Sequence, residues 1–164
     1  MKKYIILTLF VCEFFAASEV LNPTCYRDNI KNVVICSDKK LGKLMWQDEI
    51  QDFEGTYGQA EEYCKLVNLG GYANWRLPTR IELLSITNKT NINFNANMAF
   101  KKRKHGSNKD KLDWLLDFMN YYWSSTKYTA KEDLQKIWVV NFYDGKSSPM
   151  EPSSYAFVRC VRQD

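Results

Sequence analysis

The chain has 164 residues, of which 45% are hydrophobic and 15% aromatic. This length and apolar content fit one domain with a substantial core, and they exclude both a wholly disordered chain and two large domains. The formal net charge of +4 is modest, which argues against a uniformly basic nucleic-acid-binding protein. The single histidine, His105, excludes a histidine-rich metal site.

Residues 1–18 have the pattern of a secretory signal peptide. Two lysines precede an apolar run, Tyr4–Phe15, and three small residues follow it, so we predict cleavage after Ser18. The alternatives are an uncleaved membrane anchor and a lipoprotein attached at Cys12. Because the run is shorter than the ~20 residues that a membrane span requires, we expect an exported chain without a stable span after cleavage.

The mature chain keeps four cysteines, Cys25, Cys36, Cys64 and Cys160. An even number of cysteines behind a signal peptide indicates disulfide bonds, and four cysteines leave three pairings open. Cys25 and Cys36 flank a short loop in a predicted N-terminal extension or hairpin, residues 19–39, and one disulfide would close it. The absence of a Cys-x-x-Cys pair from the sequence argues against a thioredoxin-like redox site and against a zinc knuckle.

Two strands and a helix are predicted in the first half of the domain. Asn32–Ser37 and Leu44–Trp46 are rich in β-forming residues and flank a turn. Tyr57–Leu69 repeats apolar residues at helical spacing, and we expect this helix to end at Gly70–Gly71 because glycine readily adopts the left-handed conformation.

A second helix begins at a capping box, in which the Thr79 side chain accepts the backbone N–H of Glu82 and the glutamate reaches back. Its apolar face is expected to carry Ile81, Leu83, Leu84 and Ile86. Residues 87–111 are rich in Asn and Lys and are predicted to form a loop, and Asp113–Met119 is a candidate for a short helix.

Three further strands are predicted towards the end of the chain. They cover Tyr121–Thr126, Ile137–Tyr143 and Tyr155–Arg162, with a turn at Asp144–Gly145 between the last two. The order of strands, two helices, a loop and further strands predicts an α+β fold with an antiparallel sheet that brings the terminal strands together.

Three segments carry a family pattern: WRLPT at Trp75–Thr79, YWSST at Tyr122–Thr126 and VRCVR at Val158–Arg162. In this order they resemble the DUF1566 family, also called the Lcl C-terminal domain, over about residues 40–162 of a predicted domain at 40–164. The family is found in bacterial exported and surface proteins. The resemblance implies a C-type-lectin-like fold, similar to that of the formylglycine-generating enzyme superfamily, with two helices packed on a small antiparallel sheet, long loops and two disulfides.

The resemblance also implies roles for individual residues. It implies a disulfide between Cys64 and Cys160 and, with it, one between Cys25 and Cys36, so that all four cysteines are structural. It further implies that a set of motif residues defines the fold and does not form a site: Trp75, Arg76, Pro78, Thr79 and Trp123. Residues 88–120 depart from the family pattern because they are longer, more basic and richer in Asn.

We predict no enzyme activity, no cofactor and no metal. A Ser/His/Asp or Cys/His set would depend on His105, which lies in a hydrophilic stretch, and the cysteines are expected to be paired. Adjacent carboxylates such as Asp48 and Glu49 are expected on a solvated face. Glu151–Ser153 matches the Glu-Pro-Asn signature of calcium lectins only in part, so we expect a turn there.

Three tryptophans, Trp75, Trp123 and Trp138, allow two interpretations. Aromatic side chains can stack on sugars, but core positions are the more frequent use of such residues. Two of the three lie in the motifs and the third lies in a predicted strand, so we expect all three in the core.

The segment 101–111 holds the positive charge of the chain. It carries six basic residues against one acidic residue, Asp110, whereas the rest of the mature chain has a net negative charge. The basic residues are Lys101, Lys102, Arg103, Lys104, Lys109 and Lys111. Two interpretations stay open: a solvated loop, or a binding site for an anionic partner such as a sulfated glycan, a phosphorylated envelope polymer or an acidic protein face.

These features predict a non-catalytic exported binding domain, located in the periplasm or alternatively secreted or at the cell surface. The first hypothesis is a protein–protein interaction or scaffold component of a bacterial envelope assembly. It predicts an exposed aromatic patch, for which Tyr121, Tyr122 and Tyr128 are candidates. The alternative is an adhesin-like binder of anionic glycans through the segment 101–111. Nucleic acid is not an expected partner of an exported protein.

Overall fold

The computed structural model describes residues 23–48, 53–87, 100, 120–130, 135–142 and 144–164. The predicted signal peptide, the basic segment 101–111 and the candidate helix at 113–119 lie outside the described residues. Those described form two short helices, two sheets and two disulfide bonds. None of the described helices is long and apolar enough to cross a membrane.

The strands divide between two sheets. In chain order the elements are β1 (Thr24–Asp28), β2 (Val33–Asp38), β3 (Gly42–Gln47), β4 (Phe53–Gly55), α1 (Tyr57–Leu66), α2 (Arg80–Ser85), β5 (Tyr121–Lys127), β6 (Ile137–Asn141), β7 (Ser147–Met150), β8 (Ala156–Val158) and β9 (Val161–Gln163). The first sheet is antiparallel, in the order β1-β2-β3-β9, and the second has the order β4-β8-β5-β6-β7, with β5 and β8 parallel. The predicted α+β class is confirmed. The prediction of one small antiparallel sheet is wrong, because there are two sheets and the second is mixed.

The predicted strand Tyr155–Arg162 is two strands that belong to different sheets. β8 pairs with β4 and β5, whereas β9 pairs with β3. Between them the Cys160 backbone bonds to Gln47, whose N–H donates to the Cys160 carbonyl over 2.9 Å and whose Oε1 accepts the Cys160 N–H over 3.2 Å. The chain therefore crosses between the sheets at Arg159 and Cys160, and both backbone polar groups of Cys160 are hydrogen-bonded.

Helix α1 is shorter than predicted, because it ends at Leu66 and not at Leu69. Gly70 and Gly71 follow in a separate turn, with φ angles of +63° and +81°. A Cβ at Gly70 would lie 2.9 Å from the Cβ of Lys31. The glycine pair thus allows the chain to turn closely against the hairpin of β1 and β2, and it does not cap the helix.

Helix α2 begins at the predicted capping box of Thr79 and Glu82. The predicted apolar face is wrong at Ile81, which is exposed, whereas Glu82 and Leu83 are buried. Glu82 faces inward because its carboxylate bonds to both Thr79 and Arg76, and this orientation turns Ile81 towards solvent.

The first sheet lies between two hydrophobic clusters. Alternate residues of β2 and β3 point to opposite faces. Val33, Ile35 and Met45 join a cluster that includes residues of α1, and Val34 and Trp46 join a second cluster that includes residues of α2. Apolar residues therefore cover both faces of this sheet. Its outer parts are the strand edges and the hairpin turn.

Both predicted disulfides are confirmed. Cys25 and Cys36 face each other across β1 and β2, so their bond closes the base of the hairpin. Cys64 of α1 is bonded to Cys160, which is fully buried in the cluster around α1. The second bond therefore ties the first helix to the crossing between β8 and β9.

The three tryptophans do not share one environment. Trp75 and Trp123 are buried, as predicted. Trp138 is half-buried on β6, opposite Pro149 of β7, so the prediction of a core position is wrong for it. Its indole is covered by the guanidinium of Arg80.

Candidate functional site

The three motif segments lie next to one another through backbone hydrogen bonds. Arg76 and Val161 exchange two N–H···O bonds of 2.9 Å each, which joins the WRLPT segment to the VRCVR segment. The Ser125 N–H donates to the Pro78 carbonyl over 2.7 Å, which joins WRLPT to YWSST. The motifs thus form one contiguous part of the structure, although 78 residues of chain separate the first motif from the last.

Arg76 and Glu82 form a bidentate ion pair at the start of α2. Both Nη atoms of Arg76 donate to the carboxylate, over 2.8 and 2.7 Å, and Glu82 also accepts the Thr79 N–H over 2.7 Å. Burial favours a higher pKa for Glu82, but the hydrogen bonds from Arg76 and Thr79 outweigh it and hold this pKa below its ordinary value. The pair fixes the first turn of α2.

The motif tryptophans bond to the backbone inside the domain. The Trp75 Nε1–H donates to the Tyr72 carbonyl and the Trp123 Nε1–H to the Gly55 carbonyl, each over 2.8 Å. Trp123 thereby connects β5 to the segment before α1. These contacts, with those of Arg76, tie the motif segments to the backbone of the domain.

A buried charged cluster, the Asp48 cluster, consists of Arg27, Asp48 and Arg159. Asp48 is 1% exposed, and its carboxylate is paired with Arg27 and bonded to Nη1 of Arg159 over 2.8 Å. Burial and the nearby Arg159 charge lower the pKa of Arg27. The prediction that Asp48 lies on a solvated face is wrong, because two arginines from distant parts of the chain compensate its charge. Sequence alone does not show this, since β1, β3 and the β8–β9 crossing meet only in the fold.

A second cationic group lies around Tyr72. Lys31 Nζ donates to the Tyr72 hydroxyl over 2.8 Å, and this hydrogen bond raises the pKa of Lys31. The guanidinium of Arg162 lies 4.7 Å from the centre of the same ring. These contacts hold the hairpin turn and β9 against the turn that follows α1.

A third cationic group, the Arg80 platform, consists of Arg80, Tyr128, Trp138 and Ser147. The Arg80 guanidinium lies 3.9 Å from the centre of the Trp138 ring, and its Nε donates to the Ser147 hydroxyl over 2.8 Å. The Tyr128 ring meets the Trp138 indole edge-on at 5.1 Å. All four residues are half-buried, so the platform faces solvent on one side.

Of the tyrosines predicted to form an exposed patch, Tyr122 is buried and stacks on Phe142. Tyr121 and Tyr128 are half-buried. The prediction is therefore wrong for Tyr122, because alternate residues of β5 point to opposite faces and Tyr122 faces the cluster around α2. Tyr128 belongs instead to the Arg80 platform.

The hairpin of β1 and β2 is fixed to the domain at three levels. The Cys25–Cys36 disulfide holds its base, Arg27 joins its middle to Asp48, and Lys31 packs at its turn as described above. Within the turn, Oδ1 of Asp28 accepts the N–H groups of residues 30 and 31, over 3.0 and 3.1 Å. Hydrogen bonds within the turn and contacts with the domain thus hold the turn at the surface.

The remaining candidate positions divide into two groups. The basic residues of the segment 101–111 and His105 lie outside the described residues. Glu151–Ser153 is a turn, as predicted, in which the Ser154 N–H donates to the Glu151 carbonyl over 2.9 Å. In the part of the chain that the structure describes, no group of three or more His, Cys, Asp or Glu has a metal-binding arrangement.

Comparison with known protein families identifies the domain. The family model of the Lcl C-terminal domain matches residues 35–162, which includes all three motif segments. The match begins within β2, so β1 and the hairpin turn precede it. No curated protein matches the chain.

Proposed function

The chain belongs to the Lcl C-terminal domain family, and from this membership and its surface we propose that it is an exported, non-catalytic binding domain. In this proposal it acts in the periplasm as a protein–protein interaction or scaffold component of an envelope assembly. Two disulfides support export, because such bonds persist in oxidising compartments. All four cysteines of the described residues are bonded, so none of them offers a thiolate nucleophile.

The same proposal includes a C-type-lectin-like fold. Two features support it: the disulfide from α1 to the crossing before the last strand, and the pairing of β9 with β3 in one sheet. Both bring the beginning and the end of the domain together.

The hairpin of β1 and β2 is the observation that carries the proposed function. Its turn presents Ile30, which is 94% exposed, on a backbone that is already rigid. Covering such a side chain contributes about 1.5–3 kcal/mol, and a rigid backbone loses little conformational entropy on binding. β1 is an edge strand and carries the exposed Tyr26. An edge strand can pair with a strand of a partner protein.

In-cell crosslinking of the tagged full-length chain, followed by mass spectrometry, tests this function. We expect a small, reproducible set of envelope proteins. The double variant Tyr26→Gln and Ile30→Gln removes apolar contact area from the hairpin, so we expect capture of that set to fall by about tenfold or more.

Tyr155→Gln is the matched control, because Tyr155 is as exposed as Tyr26, at 64% against 54%, but lies beside β8. Capture should be unchanged in this variant. Equal capture by the hairpin variant and the control would contradict the role of the hairpin. A complete lack of captured proteins, with both disulfides formed, would contradict the scaffold function itself.

The alternative function is binding of anionic glycans through the basic segment 101–111. The concentration of six basic residues in eleven positions favours it. Binding to sulfated or phosphorylated glycans should then weaken steeply as salt rises. It should also be lost when Lys101, Lys102, Arg103 and Lys104 are changed to Gln.

A further inference from the structure

The Arg80 guanidinium is held in one orientation by two contacts, because its Nε donates to Ser147 and its plane lies on Trp138. The backbone of the same residue is held separately, since the Arg80 backbone N–H donates to the Thr126 hydroxyl over 2.9 Å. Thr126 and Ser147 belong to β5 and β7, the strands on either side of the one that carries Trp138. A long side chain that usually keeps much rotamer freedom is thus fixed before any ligand arrives.

The fixed guanidinium still has hydrogen-bonding capacity. Arginine has five N–H donors, and the described residues provide an acceptor for Nε of Arg80 but none for its two Nη groups. The contrast with Arg76 is direct, because both Nη groups of Arg76 bond to Glu82. The Nη groups of Arg80 form the planar fork that binds a carboxylate through two parallel hydrogen bonds.

We propose that the Arg80 platform binds the carboxylate of an Asp or Glu side chain in a segment of a partner protein. The carboxylate bonds to the two Nη groups, and the apolar part of the segment packs on Tyr128 and the exposed edge of Trp138. Trp, Tyr and Arg are the residues most enriched at the energetic centres of protein interfaces, and here the three types are in contact. The proposed binding of an acidic segment rests on the proposed interaction function. It gives the domain a second binding surface, which is separate from the hairpin.

Titration of the purified full-length chain with defined peptides tests the site. Lys101, Lys102, Arg103 and Lys104 are changed to Gln in every sample, which removes the general attraction of the basic segment for anions. The probes are an N-acetylated hexaglutamate peptide and a hexaglutamine peptide of equal length. The readout is the indole N–H resonance of Trp138, identified by its disappearance in Trp138→Phe.

We expect hexaglutamate to shift this resonance saturably and hexaglutamine to leave it unchanged. Arg80→Gln should weaken binding by at least about tenfold, because it removes the charge-assisted bonds. Arg162→Gln is the matched control, since it removes an arginine of equal charge that lies on Tyr72, and it should leave the affinity unchanged. Arg80→Lys keeps the charge but loses the planar fork, so it should also bind weakly.

Equal shifts of the Trp138 resonance with the two peptides would overturn the proposed site. Equal effects of Arg80→Gln and Arg162→Gln on the affinity for hexaglutamate would overturn it as well. Tighter binding of trigalacturonate than of hexaglutamate at the same resonance would assign it to an acidic saccharide and overturn the protein partner. The titration uses a defined peptide and the crosslinking uses the hairpin variants. Either experiment can therefore fail without the other, and a failure of the site is distinguishable from a failure of the interaction function.

Discussion

The Asp48 cluster and the Arg80 platform place arginine side chains in opposite situations. In the cluster, Arg27 and Arg159 meet a carboxylate inside the protein, where water does not reach it. In the platform, Arg80 meets a ring and a hydroxyl at the surface, and no carboxylate of the described residues joins it. The comparison teaches that the partner of an arginine, more than its position in a motif, indicates whether it supports the fold or is available for binding.

The largest loss of stability is expected from a change in the Asp48 cluster. Asp48→Asn keeps the size of the side chain but removes the charge that compensates the buried guanidinium of Arg159 and the half-buried one of Arg27. Breaking a buried ion pair in this way costs about 3–5 kcal/mol, so the free energy of unfolding should fall by that amount. Urea denaturation with both disulfides intact measures it.

Asp144→Asn is the matched control, because the exposed Asp144 is paired with Lys146 at 3.6 Å on the surface. Its effect should stay within about 0.5 kcal/mol. Similar losses in the two variants would show that burial does not distinguish the Asp48 cluster from a surface pair.

An intermediate loss of stability is expected from changes to the Arg76–Glu82 pair. The folded-state pKa of Glu82 is lowered, despite burial, by its bonds to Arg76 and Thr79. Its contribution to stability is therefore fully present above the unfolded pKa of about 4.3 and is lost as the pH falls through the folded pKa. Glu82→Gln should lower stability at pH 7 by about 2 kcal/mol and flatten this part of the acid dependence.

Urea denaturation at a series of pH values measures both effects. Arg76→Gln provides a second test, because it keeps the carboxyl group but removes the hydrogen bonds from Arg76 that lower its pKa. Its acid dependence should be flattened as well. An unchanged acid dependence in both variants would mean that this pair is not a source of the pH sensitivity.

The smallest effect on stability is expected at the Arg80 platform. Arg80→Gln removes a surface contact between a cation and a ring, which contributes about 0.5–1 kcal/mol, and Arg162→Gln should cost about the same. Thermal unfolding of the two variants measures this. A loss at Arg80 as large as that of Asp48→Asn would identify the platform as a support of the fold and remove its contrast with the Asp48 cluster.

The features that sequence alone predicted are those fixed by short segments or by the family motifs. The capping box of Thr79 and Glu82 is local, and the α+β class follows from the order of elements. The disulfide partners were available because the resemblance to the family implies the pairing of Cys64 with Cys160. These predictions needed no knowledge of which sheet a strand joins.

The features that sequence did not predict depend on contacts between distant segments. The separation of β8 from β9 arises because Gln47 satisfies the backbone of Cys160, and Asp48 is buried because two arginines reach it. Trp138 lies half-buried on β6, where the Arg80 guanidinium covers its ring. Each of these outcomes joins residues at least 21 positions apart, and neither hydrophobic periodicity nor turn composition carries that information.

The two disulfides differ in the length of chain that each must close. Cys25 and Cys36 are 11 residues apart, whereas Cys64 lies 96 residues before Cys160. Because a short loop loses less entropy on closure than a long one, we expect the hairpin bond to form first during oxidation. Cys64 and Cys160 are then the two of these four cysteines that still carry thiols, so each is left with its native partner.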